Sequence, residues 1–541
     1  MQVHSPKSHP ETRAWRGALM RPRDVAWTWL FSALPRGLVA ALVATNALAA
    51  GADIAAENRL PILPLSEQEY VTLALAENDS IRQRQMDRLI SEQGRITAEA
   101  IFEPALQMDI ARSYGFEENT TESAVQRFYE TEYEYRDLDY SVGVKGMLPT
   151  GGDYRLYYQM EDLANSLQSD AVYGNENVAE AALEVTQPLF KNAGLKVNRA
   201  GIDIAYQEQG ITADRLQKTR MTVAYQAHLA YATMQFALAR LKLDEQMLEH
   251  ERGRGEQIAK LFDEGRVSAA QVDLSRSVLR RRAAQVSAAR RQLRRTASEA
   301  RRLLIGAEQR QLTGVLPSET QLALIPMVSP NFSRLEQLIN DRPEFKEAKK
   351  VLTQEDLRLE VARNQTLPDI NLRFILGKTG LGDDVRSAHN KLDGPHEFWE
   401  VGLQVNVPLG GKSAKSQLAA ARIKKQQALD TLRSLALLIH DEILVAHEEL
   451  QQTTSEAKEY QQSVTALERV TRENQTRVEQ GQMNQLDLIS GQLDLLDARK
   501  MLVEKIYEQR RAALTLALAE GGILEWFDRY AASASSQASA R

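Results

Sequence analysis

The sequence predicts an α+β membrane protein with two structural repeats per chain. Each repeat is a group of β-strands leading into a very long helical hairpin, and the strands close a barrel only by joining other copies. Three observations predict this. Alternation of apolar and polar residues marks six strands, each with one apolar and one largely polar face. A strand ending in proline occurs twice, as Leu183-Glu-Val-Thr-Gln-Pro188-Leu-Phe and Leu403-Gln-Val-Asn-Val-Pro408-Leu-Gly. Each proline precedes a helix-breaking glycine, with 77 residues from Pro188 to Gly265 and 73 from Pro408 to Gly481. Both glycines have similar settings, Phe262-Asp-Glu-Gly265-Arg-Val-Ser and Val478-Glu-Gln-Gly481-Gln-Met-Asn, which marks an internal duplication.

The first four strands are read from Leu106/Met108/Ile110, Leu138/Tyr140/Val142/Val144, Tyr154/Leu156/Tyr158/Met160 and Ala181/Leu183/Val185. The second half supplies Ile370/Leu372/Phe374/Leu376 and Trp399/Val401/Leu403/Val405/Val407. Pro104 and Pro368 introduce the first strand of each half, so Pro104, Pro188, Pro368 and Pro408 are read as strand–helix junctions. Pro149-Thr-Gly-Gly152 is a tight turn, whereas the links at about 116–137, 163–179 and 379–397 are long and polar. Short turns on one side and long loops on the other are the habit of outer-membrane β-barrels. Nine of the sixteen tyrosines fall between Tyr114 and Tyr173, where an interfacial aromatic girdle is expected. Six strands are too few to close a transmembrane barrel, and open edges in lipid are forbidden, so the chain is expected to oligomerise.

Helices are expected at about 66–100, starting with a Ser66/Glu69 capping box, and at 195–304, 333–364 and 413–519. At ~1.5 Å per residue the proline-to-glycine segments span about 110 Å, too long for the core of one small domain. Alanine-rich seams, including Ala283, Ala284, Ala288 and Ala289, suit close packing of nearly parallel helices. The expected organisation is a signal peptide over 1–50, a linker over 51–65, a first repeat over 66–304, an inter-repeat linker over 305–332, a second repeat over 333–530 and a disordered tail over 531–541. The signal is read from Arg13, Arg16, Arg21 and Arg23, the apolar run 37–44 and the Ala47-Leu-Ala49 cleavage pattern. No later segment offers ~20 consecutive apolar residues. The chain has no cysteine, which excludes disulfides, thiolate metal sites and a lipidated N-terminal cysteine. Its net charge of −6 favours no particular partner.

In its order of elements the chain resembles the TolC-type outer-membrane efflux family. The resemblance covers about residues 65–520. It rests on the signal peptide, the two strand–helix halves, the strand exits Thr186-Gln-Pro188-Leu-Phe and Val407-Pro408-Leu-Gly-Gly, Asp341-Arg-Pro-Glu-Phe-Lys-Glu-Ala348, and Gly481-Gln-Met-Asn-Gln-Leu-Asp487-Leu-Ile. It implies a homotrimer: a β-barrel shared through the outer-membrane lipid and continuous with a long periplasmic α-helical barrel. Such a channel takes substrate passively from a periplasmic adaptor and an inner-membrane pump, in tripartite efflux or type I secretion. The resemblance places the periplasmic tip at the two glycines. Leu261, Gly265, Arg266, Val267, Ser268, Val478, Gly481 and Met483 are then adaptor-docking candidates, and Asp487 a pore-constriction candidate. Ser490 stands where the family pattern has a further acidic residue, and Met483 where it has a basic gating residue. A second departure is larger. Pro104 to Pro188 is 84 residues and Pro368 to Pro408 is 40, a surplus that fits one extra hairpin at about 138–162. The family's usual two strands per half give a barrel of twelve, so this hairpin implies either eighteen strands or an addition folded outside or over the channel.

Ten arginines between Arg276 and Arg302 suggest nucleic acid, but no aromatics are interleaved and the signal peptide removes the chain from nucleic acid. A solvated helix face is the simpler reading. His440 and His447 are seven residues apart, not the i, i+4 spacing of zinc-hydrolase helices. No catalytic constellation is evident, so neither an enzyme nor a cofactor is expected. The alternative reading is a periplasmic helical-hairpin adaptor or structural protein, which would have no lipid-facing strands to build.

Overall fold

The computed structural model describes residues 62–168, 175–304, 314–318, 324–325 and 334–528. The expected leader, most of the inter-repeat linker and the tail lie outside the described residues. Along the chain run β1 (Ile62–Leu65), α1 (Glu67–Glu77), α2 (Asp79–Glu99), β2 (Ala105–Glu118), α3 (Thr121–Gln126), β3 (Glu132–Met147), β4 (Asp153–Asn165) and β5 (Glu176–Pro188). Then follow α4 (Leu195–Asp263), α5 (Ala269–Leu303), β6 (Gly314–Pro317), α6 (Leu335–Asp341), α7 (Pro343–Asn364), β7 (Asp369–Gly382), α8 (Val385–Asn390), β8 (Glu397–Asn406), α9 (Lys412–Glu479) and α10 (Gln485–Ala519).

The six long strands stand where the alternation marks them and form one antiparallel sheet in the order β2-β3-β4-β5-β7-β8. Register carries the alternation from strand to strand. Met108 faces Val142, Val142 faces Tyr158, Leu156 faces Leu183, Leu183 faces Leu376 and Leu376 faces Trp399. One face is therefore largely apolar, interrupted toward the loops by Arg112, Arg136 and Asp162. There Ala388, from the segment after β7, packs over Met160 and Ala179, whereas the rest of the face is open: Ile110 is 80% exposed, Trp399 71% and Leu403 63%. A soluble sheet buries such a face, so exposure on this scale marks a surface made for lipid or a partner. On the opposite face lie Asp109, Asp137, Asp139, Arg155, Glu161, Glu180, Glu184, Arg373 and Glu400, by the same parity. Arg373 donates to Glu184 at 2.7 Å and lies 3.8 Å from Glu400. The tyrosines divide between the faces. Tyr114, Tyr140, Tyr154 and Tyr158 lie on the apolar one. Tyr133, Tyr135 and Tyr157 lie on the polar one, where Tyr157 donates to Glu180 at 2.6 Å. The expected tyrosine girdle is thus only partly a girdle, because density along the sequence does not report strand parity.

The two repeats match closely in their helices. The hairpin α4–α5 has 69 and 35 residues, and α9–α10 has 68 and 35. A 69-residue helix spans about 100 Å, less than the proline-to-glycine count suggests, because residues 189–194 after Pro188 are not helical. The expected helix 66–100 is two helices. The Ser66/Glu69 capping box starts α1, with Ser66 N–H donating to Glu69 at 2.9 Å and Glu69 N–H to Ser66 Oγ at 3.3 Å. Asn78 then interrupts the run in extended backbone and caps α2 through Ser80 N–H. The expected helix at 333–364 is likewise divided, at Arg342-Pro343, where Pro343 opens α7. The pairing of β1 with β6, in parallel, ties the start of the chain to the inter-repeat linker.

Two apolar clusters hold the helices together beside this pair. Tyr70, Ala74, Ala227, Tyr231, Met234, Ala300 and Leu304 make one, around α1, α4 and α5. Ile439, Ile443, Ala446, Ala513, Leu514, Ala517 and Trp526 make the other, around α9 and α10. Tyr70 donates its hydroxyl to the Ala300 carbonyl at 2.7 Å, and Tyr231 to that of Leu65 at 3.0 Å.

Candidate functional site

The strand–helix junctions are built from hydrogen bonds between the two repeats. Pro188 ends β5 opposite Asn371, three residues after Pro368. Beyond it, Leu189 N–H donates to the Ile370 carbonyl at 2.8 Å and Lys191 N–H to that of Pro368 at 3.2 Å. The Asn364 side chain accepts from Asn192 N–H at 2.7 Å and donates to the Phe190 carbonyl at 3.1 Å. Pro188 and Pro368 thus meet. Pro104 and Pro408 flank β2 and β8, the two edges of the sheet, and do not share a junction within the chain.

At the far ends of the long helices the two tips have the same geometry. In the first, Gly265 N–H donates to the Phe262 carbonyl at 2.8 Å and Arg266 N–H to that of Leu261 at 2.8 Å. In the second, Gly481 N–H donates to Val478 at 3.0 Å and Gln482 N–H to Arg477 at 2.8 Å. Both are Schellman endings, which need a left-handed residue after the helix, and Gly265 and Gly481 have φ of 69° and 70°. Each next helix is then capped, α5 by a Ser268/Gln271 capping box and α10 by Asn484 accepting from Leu486 N–H at 3.2 Å. Val267 and Met483 occupy the same place in the two turns, two residues after the glycine, and both are half-buried. Around them Gly265, Arg266, Ser268 and Gly481 are exposed, with Leu261 and Val478 half-buried. Asp487 lies in the first turn of α10, exposed, three residues after the cap. A carboxylate there is favoured by the helix dipole, so its position needs no partner. Neither glycine has a neighbour within 4 Å of an added Cβ. Gly481→Ala is therefore expected to cost about 1–2 kcal/mol from left-handed strain alone, read as faster limited proteolysis at the tip.

The arginine run divides between solvent and helix contacts. Arg290 reaches Glu245 of α4 at 2.9 Å, Arg282 lies 3.7 Å from Asp497 of α10, and Arg295 pairs within α5 with Glu299 at 3.0 Å. His440 lies beside Asp441 at 3.2 Å. Among the described residues no helix is long and apolar enough to cross a membrane.

Sequence reasoning missed a buried polar network between the helices. Glu67 of α1 accepts from Arg510 of α10 and lies 2.8 Å from His228 Nδ1 of α4. Arg510 also donates to Gln235 at 3.1 Å. His228 packs at a tilt against Phe527, with ring centroids 5.0 Å apart. Burial alone would raise the Glu67 pKa, but the His228 hydrogen bond and the Arg510 charge together hold it below its ordinary 4.5. Arg342, the residue before Pro343, is also buried. Its guanidinium donates to the Leu518 and Ala519 carbonyls at 3.1 and 2.6 Å, capping the end of α10. The Asp341-Arg-Pro-Glu motif was legible, but this capping role was not.

Residues 335–522 match the family described as outer membrane efflux protein. No curated protein matches the chain in sequence. Among solved structures, the chain is similar to the CmeC outer membrane channel of Campylobacter jejuni, at 15% identity and a TM-score of 0.58 over 84% of this chain and 85% of that one. It is similar to the outer membrane protein VceC of Vibrio cholerae, at 16% identity and 0.57 over 84% and 96%. For the open state of the MtrE outer membrane channel of Neisseria gonorrhoeae the values are 14% and 0.58 over 85% and 89%. At these identities the likeness is one of fold, and it extends through both repeats. The second repeat therefore matches the outer membrane efflux protein family, and both repeats share the fold of these outer membrane channels.

Proposed function

We propose that the chain is a passive outer-membrane channel of a tripartite efflux or type I secretion system, working as a homotrimer. The observation that carries the proposal is the sheet: apolar and exposed on one face, charged on the other, and open at both edges. Lipid accounts for the apolar face, a water-filled lumen for the charged one, and neighbouring copies for the edges. A helical-hairpin adaptor would have no use for such a face. The four long helices of each chain then line the periplasmic conduit, with the two Schellman turns at its tip offering Val267 and Met483 to a periplasmic adaptor. In this reading an inner-membrane pump supplies the energy and the chain supplies the path.

Asp487 is the constriction residue in this reading. Three carboxylates around a narrow tip attract cations and repel anions. In planar bilayers the purified protein is expected to conduct in discrete steps with cation preference. Asp487→Asn shifts the reversal potential in a salt gradient toward zero. An unchanged reversal potential removes Asp487 from the constriction.

A further inference from the structure

We infer that three copies close an eighteen-stranded barrel, in which β8 of one copy pairs with β2 of the next in the register that β5 and β7 use within a chain. The inference rests on the channel reading above and goes beyond it in strand number, register and exit width.

The inserted hairpin is part of the sheet. In the second repeat β7 pairs directly with β8, whereas in the first β3 and β4 stand between β2 and β5, each paired along its length. Both inserted strands continue the two faces of their neighbours, as strands of the wall do, and only toward the loops does α8 pack over their apolar face, at Tyr158 and Met160. Six strands per chain is an even number. The edges β2 and β8 therefore run in opposite directions, and head-to-tail closure is antiparallel, as in the rest of the sheet.

The internal repeat supplies the register. Within the chain, Pro188 at the exit of the first repeat faces Asn371, three residues after Pro368. The corresponding residues of the other junction are Pro408 and Gln107, three residues after Pro104. That alignment sets Asn406 opposite Asp109 and Val405 opposite Ile110. Two features not used in making it agree. Polar face meets polar face and apolar meets apolar, and Glu397, where β8 begins, falls opposite Glu118, where β2 ends. Leu409 gives a further sign. Its counterpart Leu189 follows Pro188 and is tied by its N–H to Ile370, while Leu409 is 102% exposed in the single chain. A neighbouring copy supplies the cover.

With strands ~4.8 Å apart and tilted by about 40°, eighteen enclose a backbone cylinder about 36 Å across, against about 24 Å for twelve. The outer exit is then about half as wide again as that of a twelve-stranded barrel.

The cysteine-free chain makes the test direct. In membranes, oxidation of Asp109→Cys/Asn406→Cys is expected to give a covalent trimer, because these positions are five strand spacings, about 24 Å, apart within one chain. Ser113→Cys/Asn406→Cys, four residues out of register, stays monomeric. Two further pairs, Ala111→Cys/Asp139→Cys and Gln159→Cys/Glu180→Cys, face each other across the hairpin's borders and are expected to close within each chain of the membrane-inserted protein. A covalent trimer with the hairpin pairs left open means that the hairpin has been expelled. That overturns the eighteen strands and leaves the channel standing. Trimer formation by the out-of-register pair alone overturns the register. Recovery of every variant in the soluble fraction overturns the channel reading itself.

Discussion

Replacing Arg510 by methionine is expected to destabilise the helical region by about 3–5 kcal/mol, the effect of leaving a buried charge without its partner. Arg510 joins α10 to Glu67 at the start of α1 and to Gln235 of α4, so it links the beginning and the end of the described chain. Glu67 is 8% exposed and His228 1%, and water cannot replace the lost guanidinium. Adding Glu67→Gln to Arg510→Met removes the stranded charge and is expected to recover part of the loss. The readout is the thermal midpoint followed by far-ultraviolet circular dichroism in detergent, across the two single variants and the double. Additive losses would mean that the two residues do not interact. The pH dependence follows from the same group. The folded Glu67 has its pKa held below 4.5, so it contributes stability that is complete above that value and is lost as pH falls through the lowered pKa. Glu67→Gln is expected to flatten the acid side of the stability profile and to leave its neutral-to-basic side parallel to that of the unmodified protein.

Val401→Arg is expected to cost about 2–4 kcal/mol and to prevent stable membrane assembly, as a cation does in the middle of the lipid-facing band of a barrel. Val401 faces Phe374 on the apolar side and is 55% exposed in the single chain. Gln404, three residues on in the same strand, faces Asn371 on the polar side, and Gln404→Arg is expected to be tolerated. The comparison holds strand, charge and exposure nearly constant and changes the face alone. Yield in the outer-membrane fraction and urea titration of vesicle-reconstituted protein both check it. Equal losses from the two variants would mean that β8 has no lipid face.

The sheet was legible in the sequence because a strand with one apolar and one polar face alternates along its length. Ile370 to Leu376 is an example that needs no tertiary information. The tip glycines were legible because a left-handed helix ending admits few residues, and the duplication displayed the same solution twice. The buried network was not. Glu67, His228 and Arg510 lie on helices that carry many exposed polar residues, and one sequence does not distinguish a buried polar position from an exposed one. The short strands β1 and β6 were hidden for a different reason. Four residues are too few to show a period, and their pairing spans about 250 residues of chain. The division of the tyrosines between the faces needed the register, since Tyr157 and Tyr158 are adjacent and point to opposite sides.

The central claim, a trimeric outer-membrane channel, is tested most directly by separating inner membrane, outer membrane and soluble fractions and measuring the mass of the detergent-extracted protein. The expected result is recovery in the outer membrane as a particle three times the mass of the single chain. A soluble monomer would contradict it.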